Sequence, residues 1–390
     1  MASTQMKARE APLGLLIVPH LPTLASRGWF LARQLARAGH RVHFITWDMP
    51  YPLSAATLGR NLRQSWRPWQ KERDGVRLQR VARTPLFSGP LNGALFRLQT
   101  RAVVRRYGLQ AIVSESYTSE TEAPAGVPLL YDVVDDHAAF AAAYGSRTYK
   151  AAFRLLDSPG VVDRQARAAG TVTAVSERLV RWSEERNQHV YKLPNGIDSS
   201  LLDAPRLPPV TSSLLYVSNF GPWSRLPELL YALHQIAEGL PALHLTLAGG
   251  GTALPGAQQL AHQLRLDERV TFLGPVWDRA YLSQLIGTAE VCLNLSDKNA
   301  FRDAASPIKV VEYLARGHKI LSTPLEEIVA LAAPSITLHH PGEPLAEALR
   351  RVLAQPLPPA PSPALLQART WEHLAGQLAT IVRQMLSSAS

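Results

Sequence analysis

Apolar runs alternate with amphipathic stretches along almost the whole chain. This alternation is typical of parallel strand–helix–strand units, in which helices separate buried strands. In the first half, strands are predicted at residues 13–19, 41–46, 76–81, 111–114, 128–134, 171–175 and 191–193. In the second half, strands are predicted at residues 214–217, 243–247, 270–273, 291–295, 320–322 and 336–338. We therefore predict an α/β protein with two doubly wound, Rossmann-like domains that face a cleft.

Helices and a linker account for the rest of the pattern. The clearest helices are predicted at residues 28–38, 92–107, 147–169 and 177–185. Residues 203–213 are rich in proline and serine, which marks them as a linker. The predicted domains are therefore residues 1–202 and 214–363. The segment 364–390 is predicted to form one long helix that crosses back to the first domain.

Residues 306–317 combine a helix start with two charged side chains. Ser306 is predicted as the N-cap and Pro307 as the first helical residue. Lys309 and Glu312 are three residues apart, so they share one face of that helix. Free N–H groups and a lysine suit a diphosphate, and a carboxylate accepts hydrogen bonds from sugar hydroxyls. The segment therefore indicates a nucleotide-sugar site or, in the simpler interpretation, a capped surface helix with incidental charges.

A cluster of titratable side chains follows the strand predicted at residues 128–134. Asp135, Asp136 and His137 come directly after it, and Asp132 lies inside its end. Ligands of doubly wound sheets bind at the carboxyl ends of the strands, so we expect a catalytic group among the first three. Alternatively, one of the paired aspartates caps the next helix and Asp132 is a satisfied strand-end residue. A divalent metal on the aspartate pair is a weaker interpretation, because no further ligands lie at informative spacing.

Two glycine-containing loops also follow predicted strands. The first strand leads into His20, and Gly28 begins the next helix, where a glycine lets a ligand approach the backbone. We assign both residues to the acceptor side. The triplet Gly249, Gly250 and Gly251 fits either close approach of a ligand, which we favour, or a plain tight turn. Neither loop has the Gly-x-Gly-x-x-Gly spacing of dinucleotide-binding proteins, which disfavours a dehydrogenase.

The net charge of +10 is concentrated in the first half of the chain. Residues 1–200 carry 27 Lys and Arg against 16 Asp and Glu, whereas the remainder carries 14 against 15. Residues 60–106 hold 12 basic and two acidic side chains. Interleaved with them are Trp66, Trp69, Leu86, Phe87 and Phe96. This mixture predicts docking on an anionic membrane surface. A solvated arginine-rich face is the alternative, and no recognisable nucleic-acid-binding motif is present.

Other features narrow the class of protein. No run of about 18 apolar residues occurs, so no membrane-spanning helix is predicted. The first residues lack the apolar core of a signal peptide, which leads us to expect a cytoplasmic protein. The single cysteine, Cys292, lies in an apolar run and is predicted to be a buried strand residue, which excludes an intrachain disulfide.

Six motifs, taken in their order along the chain, resemble those of GT-B glycosyltransferases. They are GHRV (39–42), VTAVSE (172–177), LPNGID (193–198), LAGGG (247–251), VTFLG (270–274) and SPIKVVEYLARG (306–317). The likeness is greatest to family 4-like bacterial enzymes of polysaccharide and glycoconjugate assembly. A subgroup of these has an Asp-Asp-His run similar to residues 135–137.

The resemblance implies roles for individual residues. Glu312 would hold the ribose hydroxyls of the donor, and Lys309 would meet its diphosphate. The other residues implied to contact the donor are Gly249, Gly250, Gly251, Phe272, Leu273, Gly274, Ser306, Pro307 and Ile308. The first domain takes the acceptor in this fold, so residues 135–137 would face the acceptor and the reacting sugar.

Two positions depart from the family pattern. The family usually has a Glu eight positions before the ribose-binding Glu, where this chain has Ala304, with Asp303 beside it. It also usually has Arg and Lys after the first strand of the second domain, where this chain has residues 218–225. Arg225 either substitutes for that lysine or begins a surface helix. These departures leave open whether transfer inverts or retains configuration.

Resemblance and charge together predict a peripheral membrane glycosyltransferase of the cytoplasm. It would move a sugar from a nucleoside-diphosphate sugar to a hydroxyl of a lipid-linked or other anionic acceptor, with no metal or other cofactor required. The alternatives are a GT-B sugar-nucleotide epimerase and an inactive, nucleotide-binding scaffold protein of an export complex.

Overall fold

The computed structural model of the chain describes residues 11–20, 24, 26–46, 70–81, 90–117, 121, 123–155, 158–203 and 207–388. Much of the basic segment 60–106 lies outside the described residues, including Trp66, Trp69, Leu86 and Phe87. Phe96 is described and is 1% exposed, so it belongs to the protein core and not to a docking surface. No helix among the described residues is long and apolar enough to cross a membrane.

Eight strands of the described residues form the first sheet. They are β1 (Gly14–Val18), β2 (Arg41–Thr46), β3 (Gln70–Arg73), β4 (Val76–Arg80), β5 (Ala111–Ser114), β6 (Leu129–Val133), β7 (Thr171–Ala174) and β8 (Val190–Lys192). Their order is β3-β4-β2-β1-β5-β6-β7-β8, and only the β3–β4 pair is antiparallel. The sequence did not predict β3, because all four of its residues are exposed and none belongs to an apolar run.

Six strands form the second sheet, all of them parallel. They are β9 (Ser213–Val217), β10 (His244–Ala248), β11 (Val270–Gly274), β12 (Val291–Asn294), β13 (Lys319–Ser322) and β14 (Ile336–Leu338). Their order is β11-β10-β9-β12-β13-β14. Strands that are buried on both faces produce continuous apolar runs, which is why the sequence located them. The predicted fold class, two doubly wound domains, is confirmed.

Helices cover both faces of the sheets. Their bounds are Arg27–Arg37, Pro90–Tyr107, His137–Tyr144, Arg147–Leu155, Ser158–Ala168, Glu177–Glu184, Leu226–Ala237, Leu254–Gln263, Arg279–Thr288, Ala300–Asp303, Ile308–Ala315, Glu326–Ala330, Leu345–Ala354, Pro363–Gln367 and Trp371–Ser388, with 3-10 turns at Ser199–Leu201 and Pro222–Ser224. The prediction of a single helix at 147–169 was wrong, because two helices lie in this segment. Pro159 lies in the first turn of the second, where a residue without an N–H is tolerated.

The C-terminal segment is also two helices and not one. Between them, the Ile197 N–H donates to the carbonyl of Arg369, and the Trp371 N–H donates to the carbonyl of Ile197. These bonds use backbone groups that a continuous helix would need. The second helix, Trp371–Ser388, packs on Arg27–Arg37, and the rings of Trp371 and Phe30 stack with centroids 5.2 Å apart. The side chains of this last helix therefore belong to the core of the first sheet.

Candidate functional site

The two sheets meet at the carboxyl ends of their strands. Tyr144 ends the helix after β6, and its hydroxyl donates to Asp297, which follows β12, over 3.0 Å. Asn299 donates its side-chain amide to the same hydroxyl over 2.6 Å. Phe140 packs edge-on against Phe301, with ring centroids 5.1 Å apart. We call the space beside these contacts, between the two sheets, the cleft.

Ser306 does not cap a helix, so that prediction was wrong. The helix begins at Ile308, and Pro307 takes the cap position without a side-chain hydrogen bond. The Ser306 hydroxyl instead accepts from the Asn195 N–H over 3.2 Å, and its carbonyl accepts from the Asn195 amide over 2.9 Å. Ser306 therefore joins the turn after β8 to the second domain. Because no side chain caps the helix, its first N–H groups remain available to an anion.

Lys309 lies in the first turn of this helix. Its Nζ donates to the Ser218 hydroxyl over 3.2 Å and lies 4.9 Å from the ring centroid of Tyr216. Burial, and to a lesser extent the charge of Arg302, lower the pKa of Lys309 to about 7. A lysine that burial has partly discharged gains a proton when an anion binds beside it.

Arg302 is a site residue that sequence reasoning missed. It lies in the short helix Ala300–Asp303, which Asn299 caps. Its Nε is buried and has no hydrogen-bond partner among the described residues. Its positive charge lowers the pKa of both Lys309 and Asp135. Its neighbour Phe301 packs on Phe140, which belongs to the helix that Asp136 caps. No signal in the sequence marked Arg302, because a helix of four residues has no periodicity.

Glu312 has a different neighbour from Lys309. Its carboxylate is buried and accepts a hydrogen bond from the Arg279 guanidinium over 2.6 Å. The pair lines a cavity of about 330 Å³ together with Asp198 and Ser200. A ribose that bound Glu312 would therefore have to displace Arg279, whose side chain is 64% exposed and can move into solvent.

Close approach of the protein's own backbone explains the glycine triplet. A Cβ on Gly249 would lie 1.7 Å from the Ser218 carbonyl oxygen, and one on Gly251 would lie 2.3 Å from that of Phe220. Both glycines also have φ near +140°, which other residues rarely adopt. Gly250 accepts a hydrogen bond from the Phe220 N–H. The triplet therefore seats the loop after β9, on which Ser218 holds Lys309.

The predicted donor residues of β11 support that same loop. Phe272 and Leu273 are half-buried and pack against the two hydrophobic clusters of the second domain. Gly274 has a φ of 69°, and its carbonyl accepts from the Gly249 N–H over 2.8 Å. These three residues position the glycine triplet at the edge of the cleft.

Neighbouring side chains in the second domain hold the Arg225 guanidinium. Arg225 precedes the helix Leu226–Ala237 with a φ of 50°. Its guanidinium donates twice to Glu228, over 2.8 and 2.6 Å, and lies 3.2 Å from a ring nitrogen of His339. Of the two interpretations offered by the sequence, this arrangement favours the start of a surface helix.

The three residues of the Asp135–His137 cluster have different roles. Asp136 caps the helix His137–Tyr144, since its carboxylate accepts from the Ala139 N–H over 2.8 Å. Burial raises the pKa of Asp135 to about 6, although Arg302 opposes the shift. His137 stacks on Tyr117, with centroids 3.8 Å apart. Burial, followed by His20, holds the pKa of His137 well below its usual range, so it is neutral. Asp135 is therefore the member best suited to exchange a proton.

The predicted acceptor-side residues surround a second buried carboxyl group, that of Glu115. His20 stacks on His137 and donates its backbone N–H to Glu115 over 2.9 Å. A Cβ on Gly28 would lie 2.9 Å from a Glu115 oxygen, so the glycine leaves room for this carboxyl. Burial, followed by the charge of Asp132, raises the pKa of Glu115 to about 8. Its place directly after β5 was the signal that could have found it.

Asp132 is a structural residue. Its carboxylate accepts from the Arg27 guanidinium over 2.8 Å and from the Thr173 hydroxyl over 2.8 Å. Arg27 also donates to the carbonyls of Leu193 and Pro194. This network fixes the turn that carries Asn195 towards the second domain.

The family departure at Ala304 has a structural explanation. Ala304 is fully buried in the hydrophobic cluster of the first domain, where a carboxylate would lose its solvation. The neighbouring Asp303 accepts from Lys298 over 3.0 Å and from the Glu326 N–H over 3.2 Å. Within the described ranges, no group of three His, Cys, Asp or Glu side chains is arranged to hold a metal ion.

Comparisons with known proteins agree with this architecture. Residues 211–355 match the family described as glycosyl transferases group 1. A search of curated proteins gave no match. Among solved structures, the chain is similar to HepE of Anabaena, determined in complex with UDP and glucose. The identity is 17% and the TM-score 0.60, over 96% of this chain and 99% of that one.

Two further structures show the same likeness. WaaG, described as a glycosyltransferase involved in lipopolysaccharide biosynthesis, is 16% identical with a TM-score of 0.60, over 96% of this chain and 98% of that one. A glycosyltransferase from Rickettsia africae is 13% identical with a TM-score of 0.62, over 97% and 99%. The class of protein is therefore that of the GT-B fold. More narrowly, the match to the family described as glycosyl transferases group 1 covers residues 211–355, in the second domain.

Proposed function

We propose that the protein transfers a hexosyl group from a nucleoside-diphosphate sugar to a hydroxyl of a lipid-linked or other anionic acceptor. The observation that carries the proposal is a pair of cations, Lys309 and Arg302, beside the uncapped start of the helix Ile308–Ala315. Such an arrangement suits a diphosphate that gains negative charge as it leaves. The setting, a cleft between two doubly wound sheets, is the usual place for such a ligand.

In this proposal, the departing diphosphate is stabilised by the chain itself, without a required metal. Lys309 becomes fully charged when the diphosphate binds, since its pKa of about 7 in the free protein rises beside an anion. The Arg302 guanidinium supplies donors in a fixed fork geometry. We infer that Arg302 takes the place of the basic residues that the family usually has after β9.

Glu312 would bind the ribose hydroxyls once Arg279 has moved into solvent. The buried carboxylate makes one bond of 2.6 Å to Arg279 and has further lone pairs for hydroxyl donors. HepE was solved with UDP and glucose. Uridine donors are therefore the first to be tested.

Asp135 is our choice for the group that accepts the proton of the acceptor hydroxyl. It lies near Arg302, and its pKa of about 6 leaves it mostly ionised at neutral pH. His137 and His20, both held neutral by burial, would shape the acceptor side beside it. The excess basic charge of the first 200 residues supports an anionic acceptor or membrane surface.

A screen of nucleotide-sugars by thermal shift, followed by product analysis, tests the proposal. A bound donor stabilises the fold by mass action, so the correct nucleotide should raise the melting temperature. Transfer requires release of free nucleoside diphosphate together with a glycosylated product. Epimerised donor without free diphosphate would indicate the epimerase instead. Binding without any turnover at high protein concentration would indicate the scaffold protein.

A further inference from the structure

A cavity of about 380 Å³ lies in the first domain, beside Asp135 and His137. Its apolar wall is formed by one side chain from β6 and by side chains of the helices Arg147–Leu155, Ser158–Ala168 and Glu177–Glu184. The contributing residues are Val133, Phe153, Val162, Leu179 and Trp182. This volume and this predominance of aliphatic and aromatic side chains are typical of ligand pockets. We call this cavity the apolar pocket.

The other polar groups in its wall are already satisfied. The Arg186 Nε donates to the Asp163 carboxylate over 2.8 Å. The Arg186 guanidinium also lies 4.0 Å from the Trp182 ring centroid, which holds that ring in place. Asp136 is occupied as a helix cap. Among the described side chains of the wall, the polar groups that are left for a ligand are those of Asp135 and His137.

We propose that the apolar pocket binds the apolar chain of the acceptor, so that the acceptor's hydroxyl lies at Asp135. The inference rests on the proposed function and deepens it, because it names the acceptor as a hydroxyl compound with an apolar chain. The geometry supports this placement of the chain in the pocket and of the hydroxyl at Asp135. Asp135 lines the pocket, and the next residue, Asp136, caps the helix His137–Tyr144. Phe140 of that helix packs on Phe301, the neighbour of Arg302 in the second domain, with ring centroids 5.1 Å apart. An acceptor seated in the pocket therefore meets the donor at Asp135.

Binding of octyl β-D-glucoside, below its micelle concentration, tests the pocket directly. Methyl β-D-glucoside is the matched short-chain control. Each methylene that enters the pocket should tighten binding about fourfold, so the octyl compound should bind and the methyl compound should not. Val162→Trp, which fills the pocket, should weaken octyl binding at least about tenfold. Val210→Trp, at a position that is 60% exposed, should leave it unchanged.

Crosslinking of the unaltered protein covers the case in which Val162→Trp does not fold. An octyl glucoside that carries a diazirine at the end of its chain should label peptides from the helices Ser158–Ala168 and Glu177–Glu184. Equal binding of the octyl and methyl compounds, or labelling elsewhere, would overturn the proposal that the apolar pocket binds the apolar chain of the acceptor. Nucleotide binding is measured separately. If no nucleoside diphosphate binds to a protein that still binds the octyl compound, the proposed function fails, and the acceptor role of the pocket fails with it.

Discussion

The sheet β9–β14 and the sheet β1–β8 have the same parallel architecture, yet they present their ligand surfaces in different ways. The second domain builds its half of the cleft from positive charge, with the open start of a helix and the cations Lys309 and Arg302. The first domain builds its half from side chains, with Asp135, His137, His20 and Glu115 beside the apolar pocket. The family match falls in the second domain. A diphosphate imposes one geometry on its binding site, whereas acceptors differ, and so acceptor surfaces vary with them.

The largest expected effect comes from the first domain. Asp135→Ala should lower the rate of transfer by about 10²–10⁴-fold, because it removes the group that accepts the acceptor's proton. Donor affinity should stay near that of the unaltered protein, which separates chemistry from donor binding. Steady-state kinetics and calorimetric titration measure the two quantities. Asp267→Ala is the matched control, since this carboxylate is 60% exposed and lines neither the apolar pocket nor the cavity at Glu312. Normal turnover by the Asp135 variant would show that the active site lies elsewhere.

The next effect is expected in the second domain. Arg302→Ala should lower the turnover number by about 10²–10³-fold, the loss that follows removal of one donor to a developing anion. Arg302→Lys should restore part of the rate, because it returns the charge without the planar fork. A structural role would instead appear as a lower melting temperature in both variants. Arg225→Ala serves as the comparison, since Glu228 already holds that guanidinium.

Glu312→Ala should weaken binding of the free nucleoside diphosphate by about 1.5–3 kcal/mol, since a charge-assisted hydrogen bond to the ribose is lost. Arg279→Ala should bind the nucleotide at least as tightly as the unaltered protein, because it frees the Glu312 carboxylate. Titration calorimetry compares the two variants. An unchanged dissociation constant for the Glu312 variant would remove the residue from the donor site.

The pH dependence should report one group from each domain. Asp135 must lose its proton and has a pKa of about 6, so activity rises as pH increases through that value. Lys309 must keep its proton and has a pKa of about 7 in the free protein, so activity falls above it. The profile of kcat/KM should therefore be bell-shaped with a maximum between these values. Asp135→Asn should remove the acidic limb of the profile, since asparagine does not titrate. Lys309→Arg should remove the alkaline limb, because arginine stays charged.

The smallest expected effect concerns the basic segment 60–106. Each replacement of a basic residue with Ser should weaken binding to anionic vesicles by about 1 kcal/mol. The residues to be replaced, one after another, are Arg60, Arg63, Arg67 and Lys71. Only Lys71 is among the described residues, and it is exposed. Cosedimentation with anionic and neutral liposomes, at low and near-molar salt, measures the effect. Equal binding to both vesicle types would show that this segment is a solvated face.

The structure also shows which features a sequence can predict. Buried parallel strands were found because their apolar runs are continuous, whereas β3 was missed because its residues are exposed. Ser306 was wrongly predicted as a cap, because its competing partner, Asn195, is distant in sequence. The glycine triplet was attributed to a ligand, although the loop at Ser218 and Phe220 explains it. Arg302 gave no local signal at all. Contacts between residues that are distant in sequence decide each of these last three cases.

The position of the helix Trp371–Ser388 has a consequence for synthesis. Its side chains, Trp371 among them, complete the core around β1 and β2, yet the ribosome makes them after the whole of the second sheet. Nascent domains generally fold as units in the order in which they emerge. Here the second sheet can fold first, while the first sheet waits with an uncovered apolar face. During that interval, a chaperone would be expected to engage the residues that emerged earliest.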